Sequence, residues 1–409
     1  MLKKMARLRL CAAMLFVACS ATAVLAEGQS VSLNEALARA GAESPSVQVS
    51  QAEIDVARGN QKQASLGPNP EVSFDVENVA GSGVFKGLRS TEYTVAVGHR
   101  LELGGKRGAR TGAARAQTSV AEIEAAISQA ELASAVRLAY TEAVAARSRL
   151  DFATRVVDRN KQLSRISQIL VETGRDPPLR ALRAEAALGE AKAALEAARA
   201  EEYSARLLLA SLWGSQTPPE EVEAVWLGRG DIKLEADLSQ SLRIKAVEAN
   251  RDAASAIVRR ERANAVPDLT FSGGVRRFEE SGETAFIVGA SFAIPFGNRN
   301  QGSIQAAEAG VRAAEARRAL RLAEINREYD IARNQLQATQ SRVETLENQT
   351  LPQAEEASRL AQLGYQHGKF TLLDVLDAAA ARDTAELSLL DAKVARAKAA
   401  ITLLRLAAQ

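Results

Sequence analysis

A mainly α-helical protein with a small β part follows from three observations. The chain repeats itself at a spacing of about 195 residues. Apolar heptads persist over segments far longer than a globular helix needs. Short stretches alternate apolar and polar residues with a period of two, as transmembrane barrel strands do. Composition agrees: aromatic residues make up only 4%, while Ala, Leu, Glu, Arg and Gln dominate, as in long helices and coiled coils.

The N-terminus reads as a secretory leader over 1–26. Lys3, Lys4, Arg7 and Arg9 precede an apolar run, and Val24-Leu25-Ala26 supplies the short side chains of a cleavage site. A second reading takes Phe16-Val17-Ala18-Cys19 as a lipobox with Cys19 acylated, although Phe16 stands where Leu is usual. Cys11 and Cys19 are the only cysteines, so cleavage after Ala26 leaves no thiol for a disulfide or a thiolate metal site. No other stretch is long and apolar enough for a spanning helix, so any further membrane span is β.

Two structural repeats follow, over 27–230 and 231–409. Asn69-Pro70-Glu71-Val72-Ser73-Phe74 recurs as Val266-Pro267-Asp268-Leu269-Thr270-Phe271, Leu103-Gly104-Gly105-Lys106-Arg107 as Phe296-Gly297-Asn298-Arg299-Asn300, and Gly174-Arg175 as Gly368-Lys369. Each repeat reads as helix, strand, loop, strand, very long helix, tight turn, helix. The first has strands at about 71–80 and 91–103 and helices at about 106–171 and 179–212; the second has strands at about 268–278 and 284–295 and helices at about 300–363 and 371–406.

Heptad spacing places Leu322, Ile325, Tyr329, Ala332, Leu336, Thr339, Val343 and Leu346 on one seam. Leu373, Leu376, Ala380, Asp383, Leu387, Leu390, Val394, Ala397, Ile401 and Leu404 form another. In the first repeat Val120, Ile123, Ile127 and Ala130 face a seam of Leu182, Ala186, Gly189 and Ala193. Asp383 interrupts its seam and reads as a register or solvent-facing residue, with a tunnel-facing site as the alternative.

The strands place Val72, Phe74 and Val76 opposite in sense to Ser73, Asp75 and Glu77, and Tyr93, Val95 and Val97 opposite to Thr94, Ala96 and Gly98. Phe286, Val288, Ala290, Phe292 and Ile294 make a third apolar face, and 269–278 is a fourth, glycine-diluted candidate. Four strands cannot close a barrel, which takes about eight, and an open edge cannot face lipid. The chain must therefore oligomerise through its sheet, as two copies (8 strands) or three (12).

Gly67-Pro68-Asn69-Pro70-Glu71, Val76-Glu77-Asn78 and Leu101-Glu102-Leu103-Gly104-Gly105-Lys106-Arg107 carry a resemblance. From Leu33 to Ala408 the chain resembles the TolC-type outer-membrane efflux proteins, and these motifs are similar to the cobalt-zinc-cadmium, CzcC-like branch. The resemblance implies a homotrimer in outer-membrane lipid, with a 12-stranded barrel continued by antiparallel coiled-coil helices as a periplasmic tunnel. It implies a periplasmic adaptor and an inner-membrane RND-type pump as partners, and a passive conduit for heavy-metal cations. Multidrug efflux and type I polypeptide secretion are the alternatives for the cargo; an adaptor or coiled-coil scaffold without a pore is the alternative class.

The family closes its tunnel where the hairpins turn, here at 172–178 and 365–370. The resemblance puts Tyr365, Asp374 and Asp377 at that constriction. Phe370 stands where the family carries a basic residue, and the repeat places Arg180 at the position equivalent to Asp374. The expectation is that Arg180 pairs with an aspartate of the second hairpin, and that Asp374 and Asp377 of three copies form an anionic ring. The competing reading is that both carboxylates simply favour a helix start. Gly104 and Gly105 are expected to bend the wall from barrel to tunnel, with Gly297 in the same place in the second repeat.

Lys+Arg 52 against Asp+Glu 50, interleaved, argue against nucleic acid. No cofactor is predicted, and no catalytic constellation is present: His99 and His367 are the only histidines, neither in a metal-binding pattern. The chain reads as a non-enzyme. The loops at 81–90 and 279–283 join strand pairs and are expected outside the cell.

Overall fold

The computed structural model describes residues 30–224 and 238–408. The leader, Cys19 and the boundary between the repeats lie outside the described residues. Among those described, α1 (Leu33–Glu43) and α2 (Pro45–Ala64) lead into β1 (Glu71–Glu77) and β2 (Glu92–Leu101). Helices α3 (Lys106–Glu172) and α4 (Pro178–Ser211) complete the first half. The second half runs through α5 (Leu242–Asn264), β3 (Leu269–Phe278), β4 (Thr284–Phe292), α6 (Gln301–Thr345), α7 (Leu351–Gln366) and α8 (Leu372–Leu406).

The four strands form one antiparallel sheet in the order β1-β2-β3-β4, so β1 and β4 are unpaired edges. Registers Val76↔Tyr93, Phe74↔Val95 and Val72↔Val97 continue through Val95↔Val275 and Val275↔Phe286. Val72, Phe74, Val95, Val97, Val275, Phe286, Val288 and Phe292 therefore share one exposed face. The opposite face carries Ser73, Asp75, Glu77, Glu92, Thr94 and Arg276. The strands stop short of their expected ends at Glu77 and Phe292: Asn78 and Ala80 turn to positive φ, and Pro295 cannot donate to a ladder.

At about 1.5 Å per residue, the 67 residues of α3 extend about 100 Å. Their main core lies midway along, where Ala36, Ala40, Leu209, Ala210, Trp213 and Val222 close around Val136, Ala139, Tyr140, Ala143 and Val144. The Tyr140 hydroxyl lies 2.8 Å from the Glu223 carbonyl and 3.1 Å from that of Val31, and burial pushes its pKa up to about 12. It fixes the two strand-like segments that meet as a Val31–Val222 bridge.

Three features depart from the periodicity. The long helix expected over 300–363 is divided by a π turn, Leu346–Thr350, before α7. Pro352 has no N–H and its ring crowds the carbonyl one turn back, and the wider turn relieves both. The seam of α4 is Ala184, Ala191, Leu195 and Ala198, not the row of Leu182, Ala186, Gly189 and Ala193, all of which are exposed. Near its start α8 buries Leu372, Val375 and Ala379 and leaves Leu373 and Ala380 outward, one residue out of phase with the expected seam. Asp383 faces neither solvent nor an apolar row: it receives both guanidinium nitrogens of Arg159 on α3, at 2.9 Å for the longer bond.

Candidate functional site

Two places combine defined geometry with chemistry: the shared tip of the hairpins and the junction of sheet and helices. At the tip, α3 turns into α4 through Gly174 (φ 69°), and α7 into α8 through Gly368 (φ 71°). The hairpins meet on an apolar cluster of Leu163, Ala184, Ala361, Tyr365, Leu372 and Val375. Tyr365 is 8% exposed, and its hydroxyl donates to Asp176 of the other hairpin at 3.2 Å. Burial, then the Asp176 charge, raise the Tyr365 pKa above its usual 10.0.

Arg180 completes this arrangement from an unexpected side. Its guanidinium pairs with Asp176, one turn back in its own hairpin, rather than with Asp374 or Asp377. Asp176 thus accepts from Tyr365 and Arg180 together while only 9% of its side chain is exposed. Phe370 lies over Gly364, where a Cβ would come within 2.1 Å of its ring.

Asp374 caps its helix. Its carboxylate accepts from the Thr371 N–H at 2.7 Å while the Thr371 hydroxyl accepts from the Asp374 N–H at 3.3 Å, a reciprocal capping box. The Thr371 N–H, and with it the Thr371 hydroxyl, which also donates to this carboxylate at 2.7 Å, hold its pKa below the usual 3.8. Asp377 is exposed one turn further on, and His367 is an exposed turn residue.

Above the tip, ion pairs join the two hairpins. Arg159–Asp383, Arg155–Glu386, Arg149–Asp391 at 3.1 Å and Glu142–Lys398 at 2.5 Å link α3 to α8 along their antiparallel run.

At the junction, Gly104 (φ 68°) and Gly105 (φ 71°) open α3. A Cβ on Gly104 would meet Val266 side-chain carbons at 2.6 Å, so glycine is required there by space as well as by φ. Lys106 pairs with Asp268 of the other half at 2.6 Å, Arg107 donates to the Ser65 carbonyl, and Arg110 bridges Glu102 and the Ala64 and Leu66 carbonyls. The Glu-Leu-Gly-Gly-Lys-Arg run therefore ties β2, α3, the end of α2 and the start of β3 together. Gly297 does not occupy the equivalent place: it has no positive φ and open space around it. The left-handed residue before α6 is Asn300 (φ 58°), whose amide donates to the Glu261 carbonyl at 2.8 Å. The frame of the repeat shifts by two residues across this motif.

Among the described residues no group of three or more His, Cys, Asp and Glu could hold a metal ion, and no helix is long and apolar enough to cross a membrane.

Known proteins share both sequence and architecture. The cobalt-zinc-cadmium resistance protein CzcC of Cupriavidus metallidurans is 29% identical over 353 residues, 85% of this chain and 83% of that one. The nickel and cobalt resistance protein CnrC of the same organism is 30% identical over 67% of this chain and 66% of its own. The CusC structure superposes with a TM-score of 0.80 at 20% identity, covering 92% of each chain. The open-state MtrE outer membrane channel of Neisseria gonorrhoeae gives 0.77 at 21% identity over 91% of this chain and 88% of that one. The family model for outer membrane efflux proteins matches residues 36–215 and 234–409, so the chain belongs to the outer membrane efflux protein family, whose members are outer-membrane channels with a periplasmic helical tunnel and not enzymes.

Proposed function

We propose that three copies of this chain close a 12-stranded barrel and that the resulting conduit carries heavy-metal cations outward, in an assembly with a periplasmic adaptor and an RND-type inner-membrane pump. The observation that carries the cargo is the likeness to CzcC along 85% of the chain, supported by CnrC. Assembly is supported by two unfinished surfaces. The edges β1 and β4 are unpaired, which lipid does not tolerate. The α4 row of Leu182, Ala186, Gly189 and Ala193 is left exposed by the described residues, although its 4,3,4 spacing is that of a helix-packing seam.

The tip is the proposed periplasmic gate. Tyr365, Asp176 and Arg180 hold the hairpins of one protomer together, and Asp374 and Asp377 of three protomers present carboxylates at the entrance, where they favour cations. Gly104, Gly105 and the Lys106–Asp268 pair hold the bend between barrel and tunnel.

Growth of a deletion strain on zinc, cadmium, cobalt, nickel and copper salts, beside dyes and antibiotics, tests the cargo. Sensitivity to metals alone is expected; sensitivity confined to the organic compounds would overturn the metal assignment. Native mass spectrometry of the purified protein is expected to give a trimer, and a dimer would replace the 12-stranded barrel by one of eight.

A further inference from the structure

The two loops at the far end of the sheet differ in chemistry. The β3–β4 loop carries Glu279, Glu280 and Glu283. The β1–β2 loop, residues 78–90, carries Lys86 and Arg89 and no carboxylate. It also exposes four large apolar side chains: Val79 (48%), Val84 (76%), Phe85 (44%) and Leu88 (60%). The loop is nonetheless ordered. Ala80 N–H donates to the Gly87 carbonyl at 3.0 Å, Gly81 bridges to Lys86, a short 3-10 turn spans Gly83–Phe85, and the Ser90 hydroxyl donates to the Val84 carbonyl at 2.8 Å. Neither Lys86 nor Arg89 makes an ion pair with another described residue.

Beside this loop the apolar face of the sheet ends in a polar layer. Registers Tyr93↔Arg277 and Arg277↔Thr284 place Arg277 on the same face as Val95, Val275 and Phe286, at the strand ends farthest from the helices. Its side chain is 60% exposed, and its nearest carboxylate, Glu279, lies 3.9 Å away. From Thr284 to Phe292 the strand rises about 27 Å, or about 21 Å when tilted by about 40°, close to the apolar band of an outer-membrane barrel. Arg277 and Tyr93 therefore stand at the outer water–lipid boundary, where tyrosine is favoured and arginine reaches headgroups.

We propose that the β1–β2 loop and the outer layer of the sheet form a docking surface for phosphate-bearing lipid of the outer leaflet. Lys86, Arg89 and Arg277 pair with headgroup phosphates, and Val84, Phe85 and Leu88 rest against the acyl boundary. Charge complementarity commits the surface to an anionic lipid: the β1–β2 loop sets Lys86 and Arg89 against no carboxylate of its own, and Arg277 meets only Glu279, so the three cations exceed the one acidic partner and gain little from a zwitterionic lipid.

The test uses the full-length channel purified in detergent and mixed with lipid A, dephosphorylated lipid A or phosphatidylcholine, with bound lipid counted by native mass spectrometry. The wild type is expected to retain lipid A over both other lipids, and equal retention of the dephosphorylated form overturns the proposal without any variant. Combining Lys86→Ala, Arg89→Ala and Arg277→Ala is expected to weaken lipid A retention roughly a hundredfold, with Glu283→Gln, which alters the acidic loop away from Arg277, as a control that leaves it unchanged. Displacement by an equal concentration of inorganic phosphate would make this a phosphate site and overturn the lipid assignment. A triple variant that retains lipid A but changes single-channel conductance would place the loop over the pore instead.

Discussion

The two halves make the same bend from sheet to long helix with different residues. In the first half Gly104 and Gly105 both take positive φ, and the backbone passes so close to Val266 that a methyl group does not fit. In the second a single left-handed residue, Asn300, suffices, and its amide repays the conformation by bonding to Glu261. Asparagine tolerates that region when a local hydrogen bond supports it. One half achieves the turn by removing a side chain, the other by using one, and at Gly104 the first leaves no room for a Cβ.

The largest expected effect follows at Gly104. Gly104→Ala combines left-handed strain with a collision against Val266 and is expected to destabilise by about 3 kcal/mol. Gly105→Ala has the strain alone, with open space around it, and should cost about 1 kcal/mol. Gly297→Ala should lie within about 0.5 kcal/mol of the parent. Thermal unfolding of the purified channel ranks the three; equal costs at Gly104 and Gly105 would refute the role of Val266.

Next in size is the pair that locks the halves together. The Lys106 and Asp268 side chains are 14% and 22% exposed, so Asp268→Ala leaves a mostly buried ammonium and is expected to cost about 2 kcal/mol. Lys106→Met with Asp268→Leu should recover most of that. No recovery in the double variant would mean that the hydrogen bond from the Leu103 N–H to Asp268, at 3.3 Å, matters more than the ion pair.

The tip sharpens the contrast, because the first hairpin carries a mostly buried Asp176–Arg180 pair where the second carries the exposed Asp374 cap. Arg180→Ala is expected to weaken the Tyr365–Asp176 bond and raise single-channel conductance at neutral pH, by less than Asp176→Ala, which removes the acceptor altogether. Tyr365 contributes an alkaline limit. Its folded pKa lies above 10.0, so the contribution is fully present below 10.0 and is lost as pH rises through the higher folded value. Tyr365→Phe should abolish that alkaline transition in conductance while leaving the hairpins packed.

The general architecture was legible in sequence because it rests on long repetitions of a simple pattern. A proline-free run over 106–171 specifies α3, and residues with opposite solvents on alternate sides specify β1, β2 and β4. Phase was not legible where alanine dominates. In α4 the sequence offers Leu182 and Gly189 on one row and Ala184, Ala191 and Leu195 on another, and the chain buries the second. The difference in apolar area between those rows is too small to announce which faces inward. The π turn had a visible cause in Pro352, yet one proline does not reveal how the backbone will absorb it. Asn300 was hidden because the repeat was aligned on glycines, while the fold equates left-handed backbone with left-handed backbone. Arg180 was expected to meet an aspartate of the second hairpin, but its carboxylate, Asp176, lies in its own hairpin, since four residues along a helix start is a shorter reach than a second helix.

The smallest predicted effect concerns how the two return helices begin. The helix α4 starts at Pro177-Pro178, with φ preset by the ring and no carboxylate in its first turn. The helix α8 starts with the Thr371–Asp374 capping box. Because hydrogen bonds from Thr371 hold the Asp374 pKa below 3.8, its stabilising contribution is complete above about 3.8 and disappears as pH falls through the lower folded value. Amide protection factors at residues 372–376 are therefore expected to drop as pH is lowered from about 5 to about 3, while those at 180–182 change less. In Asp374→Asn the amide accepts weakly, and protection at 372–376 should be low and nearly independent of pH over that range. If both tips lose protection together, the acid sensitivity belongs to the shared cluster around Tyr365 and not to the cap, and the helix starts are equivalent despite their different residues.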